Sequence, residues 1–110
     1  MSLHRYDNQT FYPKRSDATP DNVGAEEGKG FNVNVAWNTG EIADEEVREN
    51  NTETNLGCAE YRYACDTLLF PIVKEFKPDL ILISCGFDSG IHDKLGWSRL
   101  SPIMYFYMTR

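Results

Sequence analysis

The sequence predicts an α/β fold built around a parallel β-sheet. Three patterns within its 110 residues support this prediction. Every second residue is apolar from Phe31 to Trp37, an apolar stripe with helical spacing runs between Ala59 and Phe76, and a continuous apolar run covers Leu80 to Ile83. Strands and helices that alternate along a chain are typical of α/β proteins with a parallel sheet.

The first predicted strand lies at the start of the sequence, where Met1 to His4 resemble the last residues of a strand. Residues 13–30 are rich in Pro, Gly, Asp and Lys, which predicts a long loop of the kind that is usually functional or disordered. The segment Phe31 to Trp37 has the period of two that is typical of a strand with one buried face.

The predicted helix between Ala59 and Phe76 depends on five apolar residues. They recur at spacings of four, three, four and four: Tyr61, Cys65, Leu68, Ile72 and Phe76. Pro71 lies inside this stripe, and a proline costs a regular helix about 3 kcal/mol. Because the stripe continues beyond the proline, we predict one kinked helix rather than two elements, ending at Lys77-Pro78.

The apolar run Leu80 to Ile83 predicts a parallel strand that is buried on both faces. Such a strand needs neighbours on both sides, and the predicted elements supply too few of them. We therefore expect the chain to be a piece of a larger sheet. Ser101-Pro102 resembles a helix N-cap followed by proline at the first helical position, which predicts a last helix that begins over residues 103–108.

Composition argues against several classes of protein. Hydrophobic residues make up 41% of the chain and aromatic residues 13%, enough for a core, and the net charge of −6 excludes a strongly basic nucleic-acid binder. The longest strongly apolar run, Leu80 to Ile83, is far shorter than the roughly 20 residues of a membrane span. No charged and then apolar leader opens the sequence, which argues against secretion. Three cysteines without a CxxC pair favour free thiols in a reducing compartment.

Most of the negative charge lies between Glu41 and Gly57. This segment holds six acidic residues against one basic residue, Arg48, and it has almost no apolar residues. The pattern predicts a solvated, mobile surface insertion over residues 41–57, and an acidic recognition patch is the alternative.

Chemistry is expected beyond the carboxyl end of the run 80–83, because ligands of open α/β sheets bind there. Asp88 follows that run, and it would serve either as a metal ligand or catalytic acid, or as a cap for the loop that follows. We expect His4 to be a hydrogen-bonded structural residue, and His92-Asp93 alone is a weak metal signal. We expect Cys85 to be a buried, inert thiol.

Consecutive blocks of the sequence resemble the zinc-dependent histone deacetylases, and the HRYD and GFD sequences resemble the class II branch. The blocks are Ser2–Asp7, Phe11–Pro13, Gly28–Asn38, Glu60-Tyr61, Pro71-Ile72, Glu75–Leu80, Ser84–Asp88 and Leu95-Gly96. The resemblance implies an arginase-like, three-layer α/β/α fold with an eight-stranded parallel sheet. Residues 1–110 would be a partial histone deacetylase domain with the acidic insertion at 41–57.

The resemblance also implies roles for individual residues. Asp88 is the aspartate of the GFD sequence, which in this family holds the catalytic Zn²⁺ together with an Asp-x-His pair. Ser2, Leu3 and, less directly, Phe31 match positions whose backbone carbonyls bind a structural monovalent cation such as K⁺. Tyr12 matches a position that lines the acyl-lysine tunnel and is usually Phe. Leu95 matches a position at the tunnel rim.

As an activity, the resemblance implies hydrolysis of acetyl-lysine amides on histone tails or other proteins. It also implies a corepressor complex, a nuclear or cytoplasmic location, and no direct contact with nucleic acid or membrane. The family's Asp-x-His ligands and tandem histidines would precede Met1, and its terminal Tyr or His would follow Arg110. The isolated chain is therefore expected to hold no catalytic residue and to be inactive. It is also expected to fold poorly, because the predicted buried strand 80–83 lacks flanking strands and its exposed edges invite association. The alternative is a non-catalytic remnant that acts as an interaction module through its acidic insertion.

Overall fold

The computed structural model describes residues 1–39 and 56–110. The chain divides into two compact units, Met1–Thr52 and Glu53–Arg110. The predicted acidic insertion lies outside the described residues except at its end. There the prediction is wrong, because Leu56 is buried and Gly57 forms a parallel bridge with Arg99.

The first unit contains a two-stranded parallel sheet. Strand β1 (Ser2–Arg5) pairs with β2 (Asn34–Trp37), and Ser2 lies opposite Asn34 in the register. Both predicted strands are confirmed, but the single buried face expected over residues 31–37 is wrong. The strand starts only at Asn34, both strands are half-buried throughout, and Phe31 is 68% exposed. Within residues 1–39 and 56–110 each strand pairs only with the other, and no residue of either strand is fully buried.

The long loop between the strands is confirmed. It holds only short 3₁₀ turns, at Asp7–Gln9, Ser16–Ala18 and Glu26–Gly28. The amide of Asn34 donates to the Thr19 carbonyl at 2.9 Å and fastens the loop to β2. Gly24 has φ +104°, and a Cβ there would lie 2.2 Å from the Gly28 carbonyl oxygen, so only glycine fits this turn.

The second unit starts with one continuous helical run. It comprises α1 (Cys58–Ala64), a π-helical turn (Cys65–Leu69) and α2 (Phe70–Phe76). The prediction of a single helix that passes through Pro71 is therefore confirmed.

A π-helical turn accommodates the proline. The Phe70 N–H bonds to the Cys65 carbonyl five residues back, immediately before Pro71, which has no N–H to donate. The run ends as predicted at Lys77, which adopts the left-handed conformation (φ 49°, ψ 60°) and donates its N–H to the Val73 carbonyl at 2.9 Å.

The core of the second unit lies between α1 and α3 (Pro102–Thr109). The buried apolar side chains are Leu56, Tyr61, Ala64, Cys65, Leu100 and Met104. The predicted apolar stripe is therefore buried only in its first half, since Leu68 is 44% and Phe76 63% exposed. The reason is that α3 packs chiefly along α1 and covers little of α2.

Helix α3 begins at Pro102 after Ser101, as the sequence predicts. Ser101 occupies the N-cap position, but its side chain makes no capping hydrogen bond. Its hydroxyl instead lies 3.4 Å from the Cys58 sulfur, which joins the start of α3 to the start of α1. Within residues 1–39 and 56–110, no helix combines the length and the apolar character that crossing a membrane requires.

The prediction of a buried strand over Leu80–Ile83 is wrong for this structure. The segment belongs to no sheet among the described residues, and its side chains are between 58% and 87% exposed. An apolar run becomes a buried strand only when neighbouring strands pair with its backbone, and the described residues provide none. The prediction of a buried Cys85 is wrong for the same reason, because the thiol follows this uncovered segment and is exposed.

Candidate functional site

Asp88 lies in a tight turn that backbone hydrogen bonds hold closed. The Phe87 carbonyl accepts the Gly90 N–H at 2.9 Å, which closes the turn around Asp88 and Ser89. The N–H of Leu100 donates to the Ser89 carbonyl at 3.1 Å and ties the turn to the residues before α3. The turn presents the Asp88 side chain at an exposed position.

Gly96 presses against the backbone of Asp88. A Cβ at Gly96 would lie 1.7 Å from the Asp88 carbonyl oxygen, so only glycine permits this approach. Asp93 holds the loop in place, because its Oδ1 accepts the N–H groups of Leu95 at 2.7 Å and Gly96 at 2.9 Å. These two bonds, that from Gly96 first, lower the pKa of Asp93. Asp93 thus acts as a loop cap.

Tyr105 of α3 contacts both neighbours of Asp88 in the chain. Its hydroxyl lies 2.7 Å from the Ser89 Oγ and donates to the Phe87 carbonyl at 3.4 Å. Its ring meets the Phe87 ring edge-on, with the centroids 5.1 Å apart. Burial is the main cause that raises the pKa of Tyr105, so the phenol keeps its proton at neutral pH.

The Asp88 carboxylate fits one position of a zinc site. Within residues 1–39 and 56–110, no side chain or backbone group forms a hydrogen bond or ion pair with it, so its oxygens can bind a cation. Carboxylate oxygens are regular zinc ligands. The same residues contain no group of three His, Cys, Asp or Glu side chains that could hold a metal ion, however. The described part of the chain therefore does not complete a metal centre by itself.

His4 is a structural residue of β1, as expected. Its Nε2 donates to the Ala18 carbonyl at 2.9 Å, and its Nδ1 lies 2.8 Å from the Ser2 Oγ. In the neutral ring, Nδ1 therefore accepts the Ser2 hydroxyl proton. The proposed binding of a monovalent cation by the carbonyls of Ser2, Leu3 and Phe31 stays a prediction.

The carboxyl ends of β1 and β2 are tied together by polar side chains. The buried Asp7 carboxylate accepts the N–H of Thr39 at 2.7 Å and its hydroxyl at 2.9 Å, and it forms an ion pair with Arg5. Asn8 and Asn38 exchange two hydrogen bonds across the same gap, at 2.9 and 3.1 Å. Sequence reasoning missed the bonds of Asp7 to Thr39 and of Asn8 to Asn38, because they join residues 32 and 30 positions apart.

The two predicted tunnel residues are both exposed, Tyr12 by 82% and Leu95 by 74%. Tyr12 follows Phe11, whose ring is anchored by the Arg5 guanidinium 4.4 Å above its centroid, and it precedes a cis peptide bond to Pro13. Tyr12 belongs to the first unit and Leu95 to the second. Their tunnel roles stay predictions.

Sequence reasoning also missed Ser89, Gly96 and Tyr105 as supports of Asp88. A signal was present for Gly96, since Leu95-Gly96 is one of the blocks that resemble the histone deacetylases. Tyr105 carries no such signal, because its position in an apolar helix is equally typical of a core residue.

Known proteins resemble the chain along its whole length. Residues 1–110 match the histone deacetylase domain family. Histone deacetylase 18 of Arabidopsis thaliana is 38% identical over 110 residues, which are 100% of this chain and 14% of that protein. Histone deacetylase clr3 of Schizosaccharomyces pombe is 34% identical over 110 residues, again 100% of this chain and 14% of that protein.

The solved structure of the histone deacetylase Clr3 is similar with a TM-score of 0.83 and 35% identity, covering 98% of this chain and 16% of that chain. This similarity confirms the predicted α/β fold class with a parallel sheet. The chain spans about a seventh of the length of the curated relatives that it matches. With its full length matched at this level of identity, the chain belongs to the histone deacetylase family.

Proposed function

We propose that residues 1–110 are part of a zinc-dependent lysine deacetylase domain in a longer protein of the class II type. The observation that carries this proposal is the Asp88 turn. Asp88 belongs to a GFD sequence that matches the family, and it lies on a turn closed by backbone hydrogen bonds. No described residue forms a hydrogen bond or ion pair with its carboxylate. Such a carboxylate is suited to hold a metal ion that ligands from elsewhere in the domain complete.

Asp88 would supply one charged oxygen ligand to the ion. Zinc, when bound, polarises an amide carbonyl and lowers the pKa of water beside it. The carbonyls of Ser2, Leu3 and Phe31 would hold a structural K⁺ near β1 and β2. Tyr12 and Leu95 would line the acyl-lysine tunnel, where the Tyr12 hydroxyl would make the wall more polar than a phenylalanine does.

The substrates that fit this proposal are acetylated lysines of histone tails or of other proteins. A protein of this type would act in the nucleus or the cytoplasm, within a corepressor complex and in transcription regulation. The chain by itself would be inactive, because a catalytic zinc needs about three protein ligands and the described residues contain no group of three side chains that could hold a metal ion.

The proposal can be tested in a clr3 chimera, in which residues 1–110 replace the matched segment of Schizosaccharomyces pombe clr3. The chimera should bind one zinc per domain and deacetylate an acetyl-lysine peptide. Asp88→Ala should abolish both properties, and Asp88→Asn should weaken zinc binding because it removes a charge. Asp79→Ala, which removes an exposed carboxylate that precedes the turn in the sequence, is the matched control and should change neither.

The isolated 110-residue chain is the second arm of this test. A zinc titration should show only weak binding without a fixed stoichiometry, and no peptide should be deacetylated. A folded chimera in which Asp88→Ala retains zinc and activity would contradict the proposal. Tight binding of one zinc by the isolated chain would contradict the view that the other ligands lie elsewhere.

A further inference from the structure

We propose that Tyr105 is a positioning residue that sets the direction of the Asp88 carboxylate. The inference rests on the proposed role of Asp88 as a zinc ligand. Tyr105 lies on α3, contacts Phe87 and Ser89 on either side of Asp88, and makes no hydrogen bond to the Asp88 carboxylate itself. It would therefore act on the metal site through the backbone of the turn.

The hydrogen bonds around the phenol run in one direction. A tyrosine hydroxyl has a single proton, and Tyr105 donates it to the Phe87 carbonyl. The Ser89 hydroxyl, 2.7 Å away, must then donate its proton to the phenol oxygen. The two residues that flank Asp88 are thus linked through one oxygen atom of α3, which closes a small ring around the turn.

Packing holds this oxygen atom in place. The edge-on contact with Phe87 fixes the tyrosine ring, and Met104 beside it is buried in the core with 3% of its surface exposed. Gly90 keeps the turn tight, since a Cβ there would lie only 3.0 Å from the Phe87 carbonyl oxygen, and the Tyr105 hydroxyl lies at an ordinary contact distance of 3.6 Å from the same point. The turn is therefore pinned to a helix that the core already orders.

Groups that orient a ligand without touching the metal typically change metal affinity by about 10- to 100-fold when they are removed. Tyr105→Phe keeps the ring against Phe87 and removes only the hydroxyl. The chain offers a matched control on the same helix, because Tyr107→Phe also removes one hydroxyl and one side-chain hydrogen bond, to Asp66, remote in sequence from the turn.

The experiment compares these variants in the clr3 chimera through zinc affinity, measured by competition with a chelator, and through amide exchange at Asp88, Ser89 and Gly90. Tyr105→Phe should lower zinc affinity by about 10-fold and speed exchange in the turn. Tyr107→Phe should do neither. Ser89→Ala, which removes the other half of the link, should lower the affinity in the same direction as Tyr105→Phe.

The inference would be overturned if Tyr105→Phe and Ser89→Ala bound zinc as tightly as Tyr107→Phe does. Asp88→Ala separates this failure from a failure of the proposed function. If Asp88→Ala loses zinc while both turn variants keep it, only the role of Tyr105 is refuted. If Asp88→Ala keeps zinc, the proposed function fails, and the role of Tyr105 fails with it. If Tyr105→Phe does not fold, the zinc affinity of Ser89→Ala alone decides whether the inference holds.

Discussion

Replacing Gly96 by alanine tests whether the loop before α3 holds Asp88 in place. The new Cβ would lie 1.7 Å from the Asp88 carbonyl oxygen, 2.5 Å from its carbonyl carbon and 3.2 Å from the Ser89 nitrogen. Non-bonded heavy atoms are comfortable at about 3.5–4.0 Å, so the Cβ would overlap the backbone by well over an ångström. All three neighbours are backbone atoms, which cannot rotate away as the end of a side chain would.

The turn must therefore move as a unit. Inserting a methyl group into a packed site costs typically about 1–3 kcal/mol, and this contact lies at or above the upper end of that range. A displacement of this size also redirects the Asp88 carboxylate, and a misplacement of about 1 Å in a site can cost on the order of 100-fold in rate. We expect Gly96→Ala to lower both the melting temperature and the zinc affinity of the clr3 chimera.

Gly28→Ala is the control for this prediction. Nothing lies within 4 Å of a Cβ built at Gly28, so this variant adds the same methyl group without a clash. Differential scanning calorimetry and chelator competition should separate the two variants clearly. If Gly96→Ala had the same melting temperature and the same zinc affinity as Gly28→Ala, the close approach of Gly96 to Asp88 would not exist in solution.

Three further predictions concern other parts of the chain. Because hydrogen bonds hold the pKa of Asp93 below its ordinary value of 3.8, its carboxylate stabilises the fold above that pH and loses this effect as the pH falls through the folded pKa. Melting temperatures of the clr3 chimera with Asp93 and with Asp93→Asn should therefore converge in acid; a constant difference would contradict this. In the same chimera, Asp7→Ala should lower the free energy of unfolding by about 3 kcal/mol in urea, since it breaks a buried ion pair and two bonds to Thr39. Asp17→Ala, which breaks an exposed ion pair, should leave the free energy of unfolding unchanged. Equal losses in Asp7→Ala and Asp17→Ala would refute the reasoning. The isolated chain should self-associate in sedimentation experiments through the exposed run Leu80–Ile83, whereas a soluble monomer with a cooperative thermal transition would argue against this.

Local patterns in the sequence were sufficient to predict most of the elements. The strand that became β2, the helical run through Pro71, and the start of α3 after Ser101 each depend on neighbours within a few residues, and all three are present. The spacing of apolar residues differs between strands and helices and is visible in the sequence, so it can be recognised without knowing what the element packs against.

What depends on distant partners could not be predicted in this way. The apolar run Leu80–Ile83 predicts a buried strand, yet a strand also requires a second backbone beside it, and no described residue takes that place. The same limit applies to the site. Asp88 could be singled out because it follows that run, whereas its contacts with Gly96 and Tyr105 arise from folding of the loop and not from a repeating pattern.

The π-helical turn at Cys65–Leu69 changes the direction in which the second half of the helical run faces. Each residue of an α-helix advances the azimuth by about 100°, and one π turn holds about one residue more than an α turn. Side chains after the turn are thus rotated by about a quarter of a circle from where an unbroken α-helix would place them. Tyr61 and Ile72, which lie on one stripe in the sequence, consequently point in different directions. A single helix can in this way offer two apolar surfaces to neighbours that lie at an angle to each other, and deleting one residue from the turn would merge them into one.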